Sequence, residues 1–152
     1  MSPDNIDRVI ELLEQNPSAR MATLATPLPS PELLNNPACV KVVFDNAGRA
    51  LYFSRAAIPF IRDLPVENLQ NPRPFNDPPL FFQHLGIYAY RRDALLEFAA
   101  LPPSSIEYAE KLEQLRVLQA GHAIYVGVVV HASSGIDTPA DYAAFVARRK
   151  AG

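Results

Sequence analysis

Apolar positions change period several times along the chain, and each change marks an element. Ile6, Val9, Ile10 and Leu13 recur at helical spacing between Ser2-Pro3 and Asn16-Pro17, which predicts an opening helix whose single apolar face must pack on something. Met21 to Thr26 reads as a short strand. Pro27 to Pro37, with prolines at 27, 29, 31 and 37, reads as a loop. The β-rich runs Val40-Lys41-Val42-Val43-Phe44 and Ala50-Leu51-Tyr52-Phe53-Ser54 flank the turn signal Asp45-Asn46-Ala47-Gly48 and predict a hairpin. His84 to Tyr90 alternates, which places His84, Gly86, Tyr88 and Tyr90 on one face of a strand and Leu85, Ile87 and Ala89 on the other.

The second half reads mostly helical. A short helix runs from Asp93 to about Leu101 and breaks at Pro102-Pro103. Ser104 with Glu107 three positions on forms a capping box for a longer helix reaching Gln119, where Gly121 supplies the stop. Its stripe is Ile106, Ala109, Leu112 and Leu115, with Glu113 and Gln114 on the flanks and Arg116 placed to pair with Glu113. Ala123 to Val130 is apolar enough for a strand buried on both faces, and a last helix spans Pro139 to about Lys150. The stretch from Phe60 to Pro79 is a long proline-rich surface loop. Helices and strands alternate with neither an internal repeat nor a linker, so residues 1–152 read as one α/β domain carrying a hairpin.

Composition narrows the class without naming a chemistry. With 49% apolar and 20% charged residues among 152, the chain can bury an ordinary core. A formal charge of −2 excludes broad attraction to nucleic acid, and Arg91-Arg92 and Arg148-Arg149-Lys150 read as solvated helix ends. The lone Cys39 permits neither an intrachain disulfide nor a cysteine-rich zinc site and fits a reducing cytosol. No signal peptide or membrane-spanning run is visible, so the expected location is cytoplasmic.

Asp137 is the acid that stands out. In Gly135-Ile136-Asp137-Thr138-Pro139 the next helix is already capped by Thr138, Pro139 and Asp141, which leaves the Asp137 carboxylate free at a strand's exit. Two readings fit it: a solvated loop acid, and a magnesium ligand at the edge where α/β sheets bind phosphates. His84 and Tyr88 could face a polar ligand or simply pack. Gly86 between them permits a close approach of ligand or backbone. Glu113 and Gln114 could reach a cleft or solvent, and Arg55 at a strand's end suits a carboxylate or phosphate. His122 and His131 read as plain strand-boundary residues. Glycine-rich phosphate loops, HExxH and nucleophile elbows are absent, so the residues alone stop at an α/β ligand-binding unit of unknown substrate.

Taken in order, the motifs resemble the 3-deoxy-manno-octulosonate (KDO) cytidylyltransferases. The resemblance runs through Met21-Ala22-Thr23-Leu24, Asn36-Pro37 with Val40-Lys41-Val42-Val43, and Leu51-Tyr52-Phe53-Ser54-Arg55-Ala56 with Ile58-Pro59. It continues through His84 to Arg91, Leu112-Glu113-Gln114-Leu115-Arg116-Val117-Leu118 and Gly135 to Pro139. It implies a three-layer α/β/α fold of the nucleotide-diphospho-sugar transferase type, incomplete here. It also implies transfer of CMP from CTP to the sugar acid with release of pyrophosphate, Mg²⁺ holding the phosphates. By the same resemblance Asp137 is the catalytic magnesium ligand, while Arg55, His84, Tyr88, Glu113 and Gln114 form the sugar-acid pocket.

Two family motifs are missing: the Arg-Leu-Pro-Gly-Lys loop that holds the CTP phosphates, and the Gln-Gly-Asp-Glu-Pro run with the other metal aspartate. The expectation is therefore the C-terminal part of such an enzyme, without its N-terminal nucleotide-binding segment and inactive alone, with apolar helix faces and a strand edge uncovered. The resemblance places a homodimer contact around the hairpin. Two alternatives accompany it: a dimerising or sugar-acid-binding remnant without catalysis, and a cytidylyltransferase for another sugar acid such as an acylneuraminate.

Overall fold

Proline at the first helical position and Asp4 in the first turn start α1, Pro3–Gln15, and the Asn16 side chain closes it by donating to the Leu12 carbonyl at 2.8 Å. The computed structural model describes residues 3–62 and 78–130 together with Val146. After α1 come β1 (Met21–Pro27), a 3-10 turn at Pro31–Leu33 inside the proline loop, β2 (Lys41–Phe44), β3 (Ala50–Ser54) and β4 (Phe82–Tyr90). Then follow α2 (Arg92–Ala100), α3 (Ser105–Glu110), α4 (Gln114–Gln119) and β5 (Ile124–Val128). The final helix expected from Pro139 and most of the long loop lie outside the described residues.

The strands form one sheet in the order β3-β2-β4-β1-β5, with β1 and β5 parallel and the other pairs antiparallel. Strand β1 is buried on both faces. Ala22 and Leu24 meet α1 through Val9 and Leu13, while Met21 and Ala25 join the opposite core with Phe53, Phe98, Leu115 and Ile124. One helix therefore covers one face, and α2 and α4 cover the other, where the hairpin strands add Val42, Ala50 and Phe53 to the same core.

Helix α1 buries half of the stripe its apolar period suggests. Asn5, Val9 and Leu13 are buried, whereas Ile6 and Ile10 are each 45% exposed. Close approach at Gly127 explains the rotation: a Cβ there would meet the Leu12 and Leu24 methyls at 3.1 and 3.0 Å. Seating Leu12 against the sheet turns Ile6 and Ile10, on the far side of a 3.6-residue turn, outward.

The hairpin forms as its turn chemistry dictates. The Asp45 carboxylate accepts from the Ala47 and Arg49 amides, both at 2.9 Å, and Gly48 takes φ 77. The hairpin tip also reaches the sheet's far end, where the Val126 amide donates to the Gly48 carbonyl at 2.7 Å and Arg49 bridges Tyr125. Strand β5 is shorter than expected and last in the sheet order, yet the hairpin tip occupies part of its outer edge.

Between Thr23 and Leu24 the β1–β4 register jumps, leaving Gly86 and Ile87 as two extra residues on β4. Two is an even number, so the side-chain parity of β4 survives. Tyr88 and Tyr90 pack with the hairpin-side core, and Leu85, Ile87 and Ala89 pack with α1, as the alternation predicts. Thr23 repairs the interrupted ladder by donating to the Ile87 carbonyl at 2.7 Å.

Three sequence readings are corrected. The helix expected from Ser104 to Gln119 is two short helices. The capping box of Ser104 and Glu107 is present, but Lys111 adopts φ 55 and breaks the run after Glu110. Arg116 pairs with Glu107 rather than Glu113, its Nε donating at 2.8 Å, and this ties α4 to α3 across the break. Arg91 is no solvated helix end: its guanidinium donates to the Leu13 and Ala19 carbonyls and closes the chain after α1.

At the base of the hairpin lies Lys41, fully buried. Its Nζ donates to the carbonyls of Cys39 and Arg55, both at 2.6 Å, and of Asn36 at 3.1 Å. Three carbonyl acceptors require three N–H donors, so the group is an ammonium, although burial lowers its pKa. Lys41→Met would leave three inward carbonyls without a donor. The expected loss is about 3 kcal/mol of unfolding free energy, read as a lower urea midpoint at unchanged m. A midpoint equal to wild type would show that the ammonium is dispensable.

Candidate functional site

Two elements that meet only through tertiary packing enclose a cavity of about 490 Å³. Strand β4 contributes Tyr88 and Tyr90, and the corner between α3 and α4 contributes Lys111, Glu113 and Gln114, with Leu95 and Phe98 of α2 as the apolar wall. Of the residues singled out in the sequence, the structure brings Tyr88, Glu113 and Gln114 together here. His84 stands behind Tyr88, their rings 5.4 Å apart. Asp137 lies outside the described residues.

His84 is buried, and its Nε2 is 2.9 Å from the Thr23 hydroxyl. Since that hydroxyl's single proton goes to Ile87 O, Nε2 carries hydrogen and donates to Thr23, which leaves Nδ1 as the ring's acceptor. Burial drives the imidazole pKa down to about 4, so the ring is neutral near pH 7. Burial also pushes the Tyr88 phenol up, with Tyr90 and Glu113 adding to the effect, and raises Tyr90 for the same reasons of burial and the Glu113 charge. Both phenols remain protonated donors. The polar wall thus combines neutral hydroxyls with a carboxylate and an amide, a set suited to a polyhydroxylated ligand.

Gln114 is the most telling member. The sequence places it on a helix flank, but it is only 6% exposed and its Nε2 has no hydrogen-bond partner. Burying an amide donor unpaired costs about 1–3 kcal/mol, so a ligand acceptor is the natural complement. A Cβ at Gly86 would meet nothing within 4 Å, so packing does not demand glycine at this bulge, and Gly86 does not line the cavity.

Arg55 is placed differently from the simple expectation. It does not line the cavity; its Nε donates to Glu110 O at 2.8 Å, one Nη to Pro37 O at 2.7 Å and the other to Lys111 O at 3.4 Å. The guanidinium thereby clasps the corner that carries Glu113 and Gln114. His122, read as a plain boundary residue, stacks on Phe98 with ring centres 5.0 Å apart and sits 3.2 Å from Glu97.

Sequence reasoning missed Lys41, Thr23 and Glu110. A lysine inside the apolar run Val40 to Phe44 was the available signal for a buried cation. Nothing local marks Glu110, whose partners lie 55 and 56 residues away. Among the described residues no cluster of three or more His, Cys, Asp or Glu side chains could hold a metal ion.

A family model described as cytidylyltransferase matches residues 1–124. The 3-deoxy-manno-octulosonate cytidylyltransferase of Rhodopirellula baltica is 46% identical over 148 residues, covering 97% of this chain and 58% of that protein. Its namesake from Geobacter sulfurreducens is 45% identical over 141 residues, covering 93% and 56%. A solved CMP:2-keto-3-deoxy-manno-octonic acid synthetase, complexed with CTP, superposes with a TM-score of 0.83 at 35% identity over 99% of this chain and 57% of that one. The chain spans just over half the length of these relatives.

The state of His84 sets an acid limit on stability. Its folded pKa lies below the unfolded value, so its contribution is full above about pH 6.5 and is lost as pH falls toward 4. The loss is on the order of 3 kcal/mol. His84→Gln, which does not titrate, should flatten the urea midpoint across this window. An unchanged pH slope in the variant would assign the acid sensitivity elsewhere.

Proposed function

The chain belongs to the cytidylyltransferase family, and from that premise we propose that it supplies the sugar-acid side of an enzyme transferring CMP from CTP to KDO with release of pyrophosphate. The observation that carries this reading is the buried, unpaired Nε2 of Gln114 in the wall of a cavity shared with Tyr88 and Glu113. A sugar acid offers hydroxyls to such a wall, and the names of the relatives point to the same substrate.

In this reading the residues act by position and charge rather than by covalent chemistry. Gln114 donates to a sugar oxygen, and Tyr88 donates from a phenol that burial keeps protonated. Nδ1 of His84 accepts from a hydroxyl, and Glu113 accepts from another. Arg55 acts from outside the cavity lining, holding the corner that carries Glu113 and Gln114. The apolar wall of Leu95 and Phe98 excludes water on the other side.

Magnesium is proposed as the cofactor, with Asp137 as its ligand and the catalytic residue in that sense. Bound there it would neutralise phosphate charge. The described residues hold no ligand set for it, so the proposal rests on the motif Gly135 to Pro139 alone. A cytoplasmic location and a homodimer through the hairpin complete the reading. Leu51 on the outermost described strand is 62% exposed, and light scattering that gives only monomer would remove the dimer.

Gln114→Leu separates binding from folding. Removing the unpaired amide should raise stability by about 1 kcal/mol, while calorimetric titration with KDO should show at least about ten-fold weaker binding. Equal affinity in wild type and variant, or no saturable binding by the wild type, would sink the pocket assignment. A pyrophosphate-release assay with CTP, KDO and Mg²⁺ then reports whether these 152 residues turn over by themselves.

A further inference from the structure

Glu110 does not line the cavity, yet it ties the end of β3 to the corner that carries Glu113 and Gln114. Its carboxylate accepts from the Ser54 hydroxyl at 2.6 Å and from the Arg55 amide at 2.9 Å, and its own carbonyl accepts from Arg55 Nε at 2.8 Å. The first two bonds fix where β3 releases Arg55; the third aims the guanidinium. At the next residue the chain turns left-handed, Lys111 at φ 55, and two and three residues further on Glu113 and Gln114 enter the cavity wall.

We propose that Glu110 is a positioning residue for the sugar-acid pocket, holding the corner that carries Glu113 and Gln114 against the end of β3 by way of Ser54 and Arg55. The inference rests on the pocket reading above. Its physical basis is the shape of the carboxylate. Ser54 Oγ–H and Arg55 N–H are offered by neighbouring residues, and each is taken by a different oxygen of the carboxylate. Glutamine keeps an acceptor at one of these two positions and alanine at neither. The ion pair between Arg116 and Glu107 joins α3 to α4 but not to β3, so it cannot substitute. Once the carboxylate is gone, the hydrogen bonds left between the end of β3 and the corner are those of the Arg55 guanidinium to the Glu110 and Lys111 carbonyls.

The test titrates KDO into the 152-residue chain and its Glu110→Gln and Glu110→Ala variants, well below each melting midpoint, with Glu14→Gln on the exposed side of α1 as a charge control. A graded loss is expected, a few-fold for glutamine and about ten-fold for alanine, the scale of one charge-assisted hydrogen bond, with the control at wild-type affinity. A role in folding alone would lower the melting midpoints and leave the dissociation constants of the folded proteins unchanged, and that result overturns the proposal. Failure of the wild type to bind would instead refute the pocket reading. The positioning claim is then decided by NMR: joint displacement of the Arg55 Nε–H and Gln114 side-chain amide signals in Glu110→Ala supports it, and unmoved signals overturn it.

Discussion

An ammonium taken fully out of water must find an acceptor for every N–H, and the way Lys41 does so organises the molecule. Its acceptors are the carbonyls of Asn36, Cys39 and Arg55, which belong to the proline loop, the approach to β2 and the exit of β3. An isolated buried charge would cost several kcal/mol. Three segments are therefore drawn to one point. The Arg55 peptide that Lys41 holds by its carbonyl is the residue whose amide and guanidinium reach Glu110. A continuous set of hydrogen bonds thus runs from the base of the hairpin to the corner of α3 and α4, and that corner carries the cavity's polar wall.

The site is built at some expense to the fold. Gln114 keeps a buried donor unpaired, Lys111 holds a left-handed backbone without being glycine, and His84 stays neutral in a place that penalises its protonation. The first two lower stability, the third does so only as pH falls below about 6.5, and all lie on or just behind the wall formed by β4 and the corner. Clustering of such costs is what a ligand site requires, because groups already satisfied by the protein have nothing left to offer a substrate.

How far the sequence was legible depended on how local the deciding physics was. The hairpin could be read because Asp45 and Gly48 make the turn with their own neighbours. The faces of β4 could be read despite a bulge, because two extra residues leave parity intact. The helix from Ser104 to Gln119 was misjudged because Ile106, Ala109, Leu112 and Leu115 suit one continuous stripe. The break falls where the carbonyls of Glu110 and Lys111 accept from Arg55, more than fifty residues away. The stripe on α1 held at Val9 and Leu13 but not at Ile6 and Ile10, because Leu12 seats against a glycine on β5.

By itself, then, the sequence determined the order of elements, the hairpin and the capping box of α3, all set by contacts within a few positions of the chain. Only the tertiary structure decided which residues share a cavity. It put Tyr88 beside Glu113 and Gln114, drew His84 behind them onto Thr23, and turned Arg55 into the clasp of the corner. The reason is that a buried polar group is placed by wherever its partner lies. For Lys41, Arg55 and Glu110 those partners are brought into reach by the fold rather than by sequence spacing.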